Sequence, residues 1–549
     1  MTSYILSIVL LATVVVELEC GTNFTKPVFN VMTPYSWAKD RYVNDTVTDE
    51  STVMYNGEVC QIVNLNLLMR HVARYPSLYW IRRMKNLHKI FQKNPEVVKK
   101  HNFLKTWIIP FAEENAYSMS SLGNEEATTL GRSFGEKFKQ LFEGKMDLID
   151  YTITSKEVTR QSFDAFFKSL NETLPADAPM PIPTVDDQRL RFYSKCKKYR
   201  TYSDKSNVEY DAFVGGTKMR TVVDKIKKLL GVKNLKTEQV ITMHQICAFE
   251  LGIFNQSDWC SFFTLDDLIV LDYLFDLSHF WQRGFGYQIN WQMSCPFTRH
   301  MLKRFDDIIA YQIETTVADI QFAHSYTLLP VYTAFGLFKD SNTLLANNFE
   351  ANKSRRFRVS KSCPFSANLG TALYKCGVSG NFVVKMFVNE EEVNIPACGS
   401  KLIFTKEDVR PSSSTYCHGV ARPSSSTYCH GVARPSSSTY CHGVARPSSS
   451  TYYHGVVRSS SGTYCHGVVS PSSSTYCHGV ARPSSSKYCH GVVRPSSSTY
   501  CHGVAAHVML FLHFEFVDDL KSFSDSYERE RVDDKRIDNS NTKKRRNND

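Results

Sequence analysis

An imidazole set among guanidiniums is equipped for phosphoryl chemistry. Residues 68–77 read Leu68-Met69-Arg70-His71-Val72-Ala73-Arg74-Tyr75-Pro76-Ser77, with one arginine directly before His71 and another three residues after it. Each guanidinium is planar, permanently charged and shaped to fork onto phosphate oxygens. That charge offsets the repulsion a phosphate presents to an incoming lone pair. His71 could therefore attack phosphorus while Arg70 and Arg74 hold the oxygens. A basic loop with an incidental histidine is the plain alternative, because a short motif alone is weak evidence.

The surrounding chain predicts how such a loop is held. Residues 59–68 alternate apolar and polar, with Val63, Leu65 and Leu67 on one side. This reads as a strand feeding a loop at its C-terminal end, where open α/β sheets place ligands. Pro76 lacks an N–H and suits the start of a helix. Residues 78–100 form a basic amphipathic helical region, with Trp80, Met84, Leu87, Ile90 and Phe91 as its apolar face. Residues 122–141 repeat Leu130, Phe134, Phe138 and Leu141 at helical spacing. Residues 149–155 are apolar and β-branched, 175–183 are a proline-rich break, and 192–295 are largely helical. Within the last, Thr264 with Asp266 and Asp267 marks a helix start. Residues 355–397 are β-rich, notably 357–359, 372–374 and 382–388.

The loop resembles the Arg-His-Gly-x-Arg-x-Pro motif of the histidine acid phosphatases, with Val72 in the glycine position. Its Tyr75-Pro76-Ser77 ending resembles the multiple inositol polyphosphate phosphatase branch. The likeness runs from about Cys60 to about Leu402. It includes Leu130-Gly131-Arg132, the junction from Lys156 to Phe166, Asp258-Trp259-Cys260 and Phe263-Thr264-Leu265-Asp266-Asp267. It also includes Trp281-Gln282-Arg283-Gly284-Phe285-Gly286-Tyr287, which carries no obvious chemistry, then Gln321 to Pro330 and Cys363 to Leu369.

The resemblance implies an α/β fold: a histidine-phosphatase-like, mainly parallel sheet domain over 21–410 with a helical cap at about 175–295. It implies His71 as the nucleophile forming a phosphohistidine, with Arg70, Arg74 and His324 holding phosphate. Three positions depart from the family. Val72 replaces a glycine whose backbone freedom the loop is expected to need. Val158 stands where the family has a phosphate-binding arginine. Arg160, two residues on, is the candidate substitute, and a solvated surface arginine is the alternative. Tyr326 stands where the family has the carboxylic acid that protonates the leaving oxygen. A phenol, with an ordinary pKa near 10, can donate a proton but is poorly matched to mildly acidic work. No metal or cofactor is expected, since arginines and histidines already supply positive charge.

Composition bounds the remaining readings. The chain has 549 residues, 42% hydrophobic and 13% aromatic, enough for a large core and one or two domains. A formal charge of +11 favours an anionic partner, here a small phosphorylated substrate or an acidic surface. No aromatic-interleaved RNA motif or zinc-finger spacing is present, so no nucleic acid is expected. The apolar run 4–16 before Cys20 reads as a signal peptide over 1–20, with a signal anchor as the alternative. No later segment is long and apolar enough to span a bilayer. These features predict the secretory pathway: secretion, the ER lumen or the outer membrane surface. Asn23, Asn44, Asn171, Asn255 and Asn352 begin glycosylation tripeptides.

Cys60, Cys196, Cys247, Cys260, Cys295, Cys363, Cys376 and Cys398 suggest structural disulfides and are spaced wrongly for zinc. Cys376 with Cys398 is the favoured pair, joined by a strand and a Glu390-Glu391-Glu392 turn that returns the chain. Residues 411–506 repeat a twelve-residue unit such as Pro411-Ser412-Ser413-Ser414-Thr415-Tyr416-Cys417-His418-Gly419-Val420-Ala421-Arg422. Few large apolar residues make disorder the expectation there, and the 507–549 tail is charged. Three functions follow. The first is hydrolysis of phosphomonoesters of the inositol polyphosphate class. The second is a catalytically impaired relative that binds anions. The third is a secreted structural protein using the Cys-His repeats for crosslinks or soft metals.

Overall fold

The computed structural model describes residues 29–38, 48–175, 177–203, 207–311, 316–394, 396 and 403–405, with short backbone stretches between 419 and 502. The expected signal peptide, Asn23, Asn44, Cys398 and the charged tail lie outside them. The strands are β1 (Thr52–Tyr55), β2 (Glu58–Arg70), β3 (Ile149–Ile153), β4 (Thr184–Val185), β5 (Ala318–Ala323), β6 (Asn368–Cys376), β7 (Phe382–Val388), β8 (Glu391–Glu392) and β9 (Ile403–Thr405). The sheet runs β4-β3-β5-β2-β6-β7-β8, with β1 beside β2 and β9 beside β7. Pairing is parallel from β4 to β2 and antiparallel from β2 onward. The sheet is thus mixed rather than mainly parallel, because the chain re-enters beside β2 as a hairpin of β6 and β7.

The principal helices are α1 (Leu78–Gln92), α2 (Ser121–Lys137), α3 (Glu157–Asn171), α4 (Thr217–Leu230), α5 (Thr237–Phe254), α6 (Leu265–Arg283), α7 (Cys295–Tyr311) and α8 (Ser325–Ala334). Leu130 and Phe134 of α2 and Phe163, Phe166 and Leu170 of α3 pack on one face of the sheet against Leu65, Leu67 and Met69. On the other face Leu68 meets a second core built from α1, α4, α5, α6 and α8. A central strand buried on both sides fits the parallel half of such a sheet.

Local signals explain several boundaries. Ser77 caps α1 by accepting from the Trp80 N–H, and Asn94-Pro95 interrupts the longer helical region expected there. The buried stripe of α1 is Ile81, Met84, Leu87 and Phe91, while Ile90 falls beside it and is 42% exposed. Thr264 and Asp267 form a reciprocal capping box at the start of α6. Val63 does not share the side of Leu65 and Leu67. The pairing of β2 with β6 shifts register between Ile62 and Asn64, which turns Val63 toward the opposite core from Leu65 and Leu67.

Cys376 pairs with Cys60, not with Cys398, because β6 lies antiparallel to β2 with those two residues directly opposed. Cys247 pairs with Cys260, Cys295 is also disulfide-bonded, and Cys196 and Cys363 are free thiols. Asn171 and Asn352 are buried and hydrogen-bonded internally, whereas Asn255 is exposed. Among the described residues no helix is long and apolar enough to cross a membrane.

Composition predicts disorder for the repeat, and the backbone described there forms short strands. Its strands pair in parallel with each partner twelve residues on, for example Tyr428 beside Tyr440 and His454 beside His466. Units of equal length can satisfy one another's N–H and C=O groups in register without a large apolar core. Limited proteolysis separates the two descriptions. Cutting is expected first within 410–506, leaving the sheet domain intact, whereas a resistant fragment spanning several repeats would mark the pairing as a stable fold.

Candidate functional site

The register of two strands brings the candidate histidines together. Arg70 at the end of β2 lies beside Ala323 at the end of β5, and the His71 N–H donates to the Ala323 carbonyl at 3.0 Å. His71 and His324 therefore leave adjacent parallel strands at the same level, with ring centroids 5.4 Å apart. Ile153 ends β3 on the far side of β5, and Thr154 follows it with Oγ1 3.0 Å from His324 Nε2. His324 also occupies the cap position of α8, so the positive end of that helix faces the site.

His71 is held in a defined tautomer. Its Nδ1 lies 2.9 Å from the Val72 carbonyl, which can only accept, so Nδ1 carries the proton and Nε2 keeps a lone pair. Burial, then Arg70, Arg74 and His324, hold His71 well below the usual imidazole range. Burial, then Arg191, Arg74, Lys156 and Arg70, do the same to His324. Both rings are thus neutral among cations.

Arg70 is 4% exposed and lies over the Phe365 ring, with its guanidinium carbon 4.6 Å from the centroid. Its Nη1 donates to the carbonyls of Val31 and Cys363, and its buried Nε has no acceptor among the described residues. Burial brings its pKa down to about 10. Arg74 donates from Nη1 to the Tyr75 carbonyl at 2.8 Å and lies over Tyr117. Buried Glu126 of α2 anchors the loop, accepting from the N–H groups of Tyr35 and Ala73 and from the Ser366 hydroxyl.

Val72 needs no glycine-like backbone, because it is not among the residues of positive φ. Its N–H donates to Ser162 Oγ, and its side chain faces Gly123 of α2. A Cβ on Gly123 would come within 2.0 Å of the Ala73 carbonyl oxygen and 2.9 Å of Val72 Cγ2. The missing side chain at 123 leaves room for the extra one at 72.

Arg160 is not drawn into the site. It pairs with Asp164 at 2.9 Å on the half-exposed side of α3, while Val158 is buried. Two residues along a helix is about 200° around its axis, so Arg160 cannot inherit the direction of position 158. Lys156, just before α3, lies among the charges acting on His324 instead. Arg191 was also missed in the sequence. Its Nη1 donates to Ser155 Oγ at 3.0 Å and to Asp187 at 2.9 Å. Tyr326 is at the site, with the Arg283 guanidinium 3.5 Å from its ring centroid and Tyr193 at 5.3 Å. Among the described residues no cluster of three or more His, Cys, Asp or Glu could hold a metal.

A family model, the histidine phosphatase superfamily (branch 2), matches residues 61–389. The chain belongs to this family. Multiple inositol polyphosphate phosphatase 1 of Homo sapiens is 29% identical over 412 residues, covering 66% of this chain and 83% of the relative. The Gallus gallus protein of the same name is 30% identical, covering 60% and 77%. A Bifidobacterium longum multiple inositol polyphosphate phosphatase, solved in complex with inositol hexasulfate, shares the fold. Its TM-score is 0.58 at 14% identity, over 71% of this chain and 98% of that one. Within this histidine phosphatase frame, Lys156 lies in the junction from Lys156 to Phe166 that carries the resemblance, where no role marked it. No local signal marked Arg191.

Two outcomes test this geometry. Gly123→Ala must displace the Ala73 carbonyl and the loop behind His71. Since small misplacements of catalytic groups cost about 10²-fold, phosphatase activity should fall by roughly that factor while the protein stays folded. The second concerns pH. His71 and His324 bind protons more readily unfolded, near pH 6.5, than folded. Their contribution to stability is complete above about pH 6.5 and is lost as pH falls through it, so the thermal midpoint should drop from pH 7 to pH 5. Added inorganic phosphate, which favours the charged imidazoles, should reduce the drop.

Proposed function

We propose that the protein hydrolyses phosphomonoesters of the inositol polyphosphate class through a phosphohistidine on His71. One observation carries this reading: a buried, neutral His71 whose Nδ1–H is held by the Val72 carbonyl and whose Nε2 lone pair is available beside His324. Nε2 would attack phosphorus as the bond from phosphorus to the leaving alcohol breaks. Arg70, Arg74, His324, Arg191 and Lys156 are positioned to balance the charge on the phosphoryl oxygens. Tyr326 would supply the proton that the departing alkoxide needs. Water then attacks the phosphohistidine, the P–N bond breaks, and the water proton returns to the Tyr326 phenolate.

One feature supports a polyphosphorylated substrate: relatives at about the 30% level are named multiple inositol polyphosphate phosphatases. The disulfides Cys60–Cys376 and Cys247–Cys260 support an oxidising, secretory compartment.

A second reading is an impaired relative that binds such ligands without turnover. It rests on the buried Val158 and on a phenol at 326. The full chain is expected to release phosphate from inositol hexakisphosphate, and His71→Ala to abolish release while still binding the ligand. Binding without release in both proteins would favour the impaired relative.

A further inference from the structure

We infer that Arg283 is a positioning residue for the proton donor: its guanidinium lies over the Tyr326 ring and steadies the phenol as it gives up its proton. The inference rests on Tyr326 acting as that donor. Arg283 is the last residue of α6 and is 2% exposed. Its guanidinium carbon is 3.5 Å from the centroid of Tyr326, in the first turn of α8. Two further contacts fix it. Nη1 lies 3.1 Å from Nδ1 of His279, one turn earlier on α6. The Arg283 carbonyl accepts from Thr333 Oγ1 of α8 at 3.4 Å, which ties the two helices beside the contact.

His279 is held well below the usual imidazole range by burial, Arg283 and Arg70. A neutral His279 can accept from Arg283, so the guanidinium is steadied on its α6 side. A cation over an aromatic face is attracted by the electron density of the ring. That density rises when a phenol becomes a phenolate, so the attraction strengthens as the proton leaves. The contact thus acts most strongly when the leaving alkoxide is being protonated. Arg70 and Tyr193 also face this group. Tyr193 lies 5.3 Å away, and burial pushes its phenol up to about 12.

The test uses the full chain and two substrates. Inositol hexakisphosphate needs its leaving alkoxide protonated, whereas the nitrophenolate of p-nitrophenyl phosphate departs without help. Arg283→Met is expected to lower kcat on the first about tenfold or more, and on the second by under about threefold. Its high-pH limb should move to higher pH, because the phenol has lost the cation that favours its ionisation. Arg283→Lys should recover part of kcat. Tyr326→Phe should show the same substrate split, and the double variant should lose little more than Tyr326→Phe alone. If Arg283→Met does not fold, Arg283→Gln takes its place. Equal losses on both substrates, or an unmoved high-pH limb, would overturn the role of Arg283 while the Tyr326 split persists. If Tyr326→Phe shows no split, Tyr326 is not the donor, and both assignments fall together.

Discussion

The site depends first on the parallel register between β2 and β5. Arg70 stands beside Ala323, so the next residue of each strand is a histidine at the same level. A slip of one residue would reverse every side chain of one strand relative to the cores on either face. Burial on both faces therefore locks the register, and through it the spacing of His71 and His324. Leu65, Leu67 and Met69 serve one core and Leu68 the other, so the residues that hold the sheet together also align its chemistry.

The cations arrive by a different logic. Arg70 and Arg74 belong to the loop itself. Lys156, Arg191 and Arg283 come from the start of α3, from the segment after β4 and from the end of α6. Three unconnected parts of the chain converge because the helical layer folds back over the C-terminal edge of the parallel strands. Burial first, and then the charges of Arg70, Arg74, Arg191 and Lys156, hold the two histidines below the usual imidazole range. Val158, where the resemblance implies an arginine, is buried, while Lys156 two residues earlier is among the charges acting on His324.

Much of this was legible in the sequence where a signal was local. The strand before Arg70, the basic loop, the start of α6 at Thr264 and the stretch around His324 all carried their own patterns. Readings failed where the answer depended on a partner far away. Val63 changed sides because of a bulge against β6. Ile90 lay just off a stripe whose true member was Ile81. Cys376 met Cys60 because of strand order, which spacing along the chain does not reveal. Arg160 matched the missing cation by type but not by helical direction. Arg283 sat inside the stretch from Trp281 to Tyr287 without apparent chemistry, since its contact with Tyr326 appears only when α6 is laid against α8.

The position of β2 at the centre of the sheet also shapes the protein's early life on the ribosome. Leu65 is made first, but its lateral neighbours are Ala318 and Ala372. At roughly 5–20 residues per second, the wait for the first of them is on the order of ten to fifty seconds. For that interval the C-terminal half of β2, beyond its short pairing with β1, has emerged with neither flank occupied, the state most open to wrong pairing with other chains. A nascent chain of this design depends on being shielded until its later strands arrive.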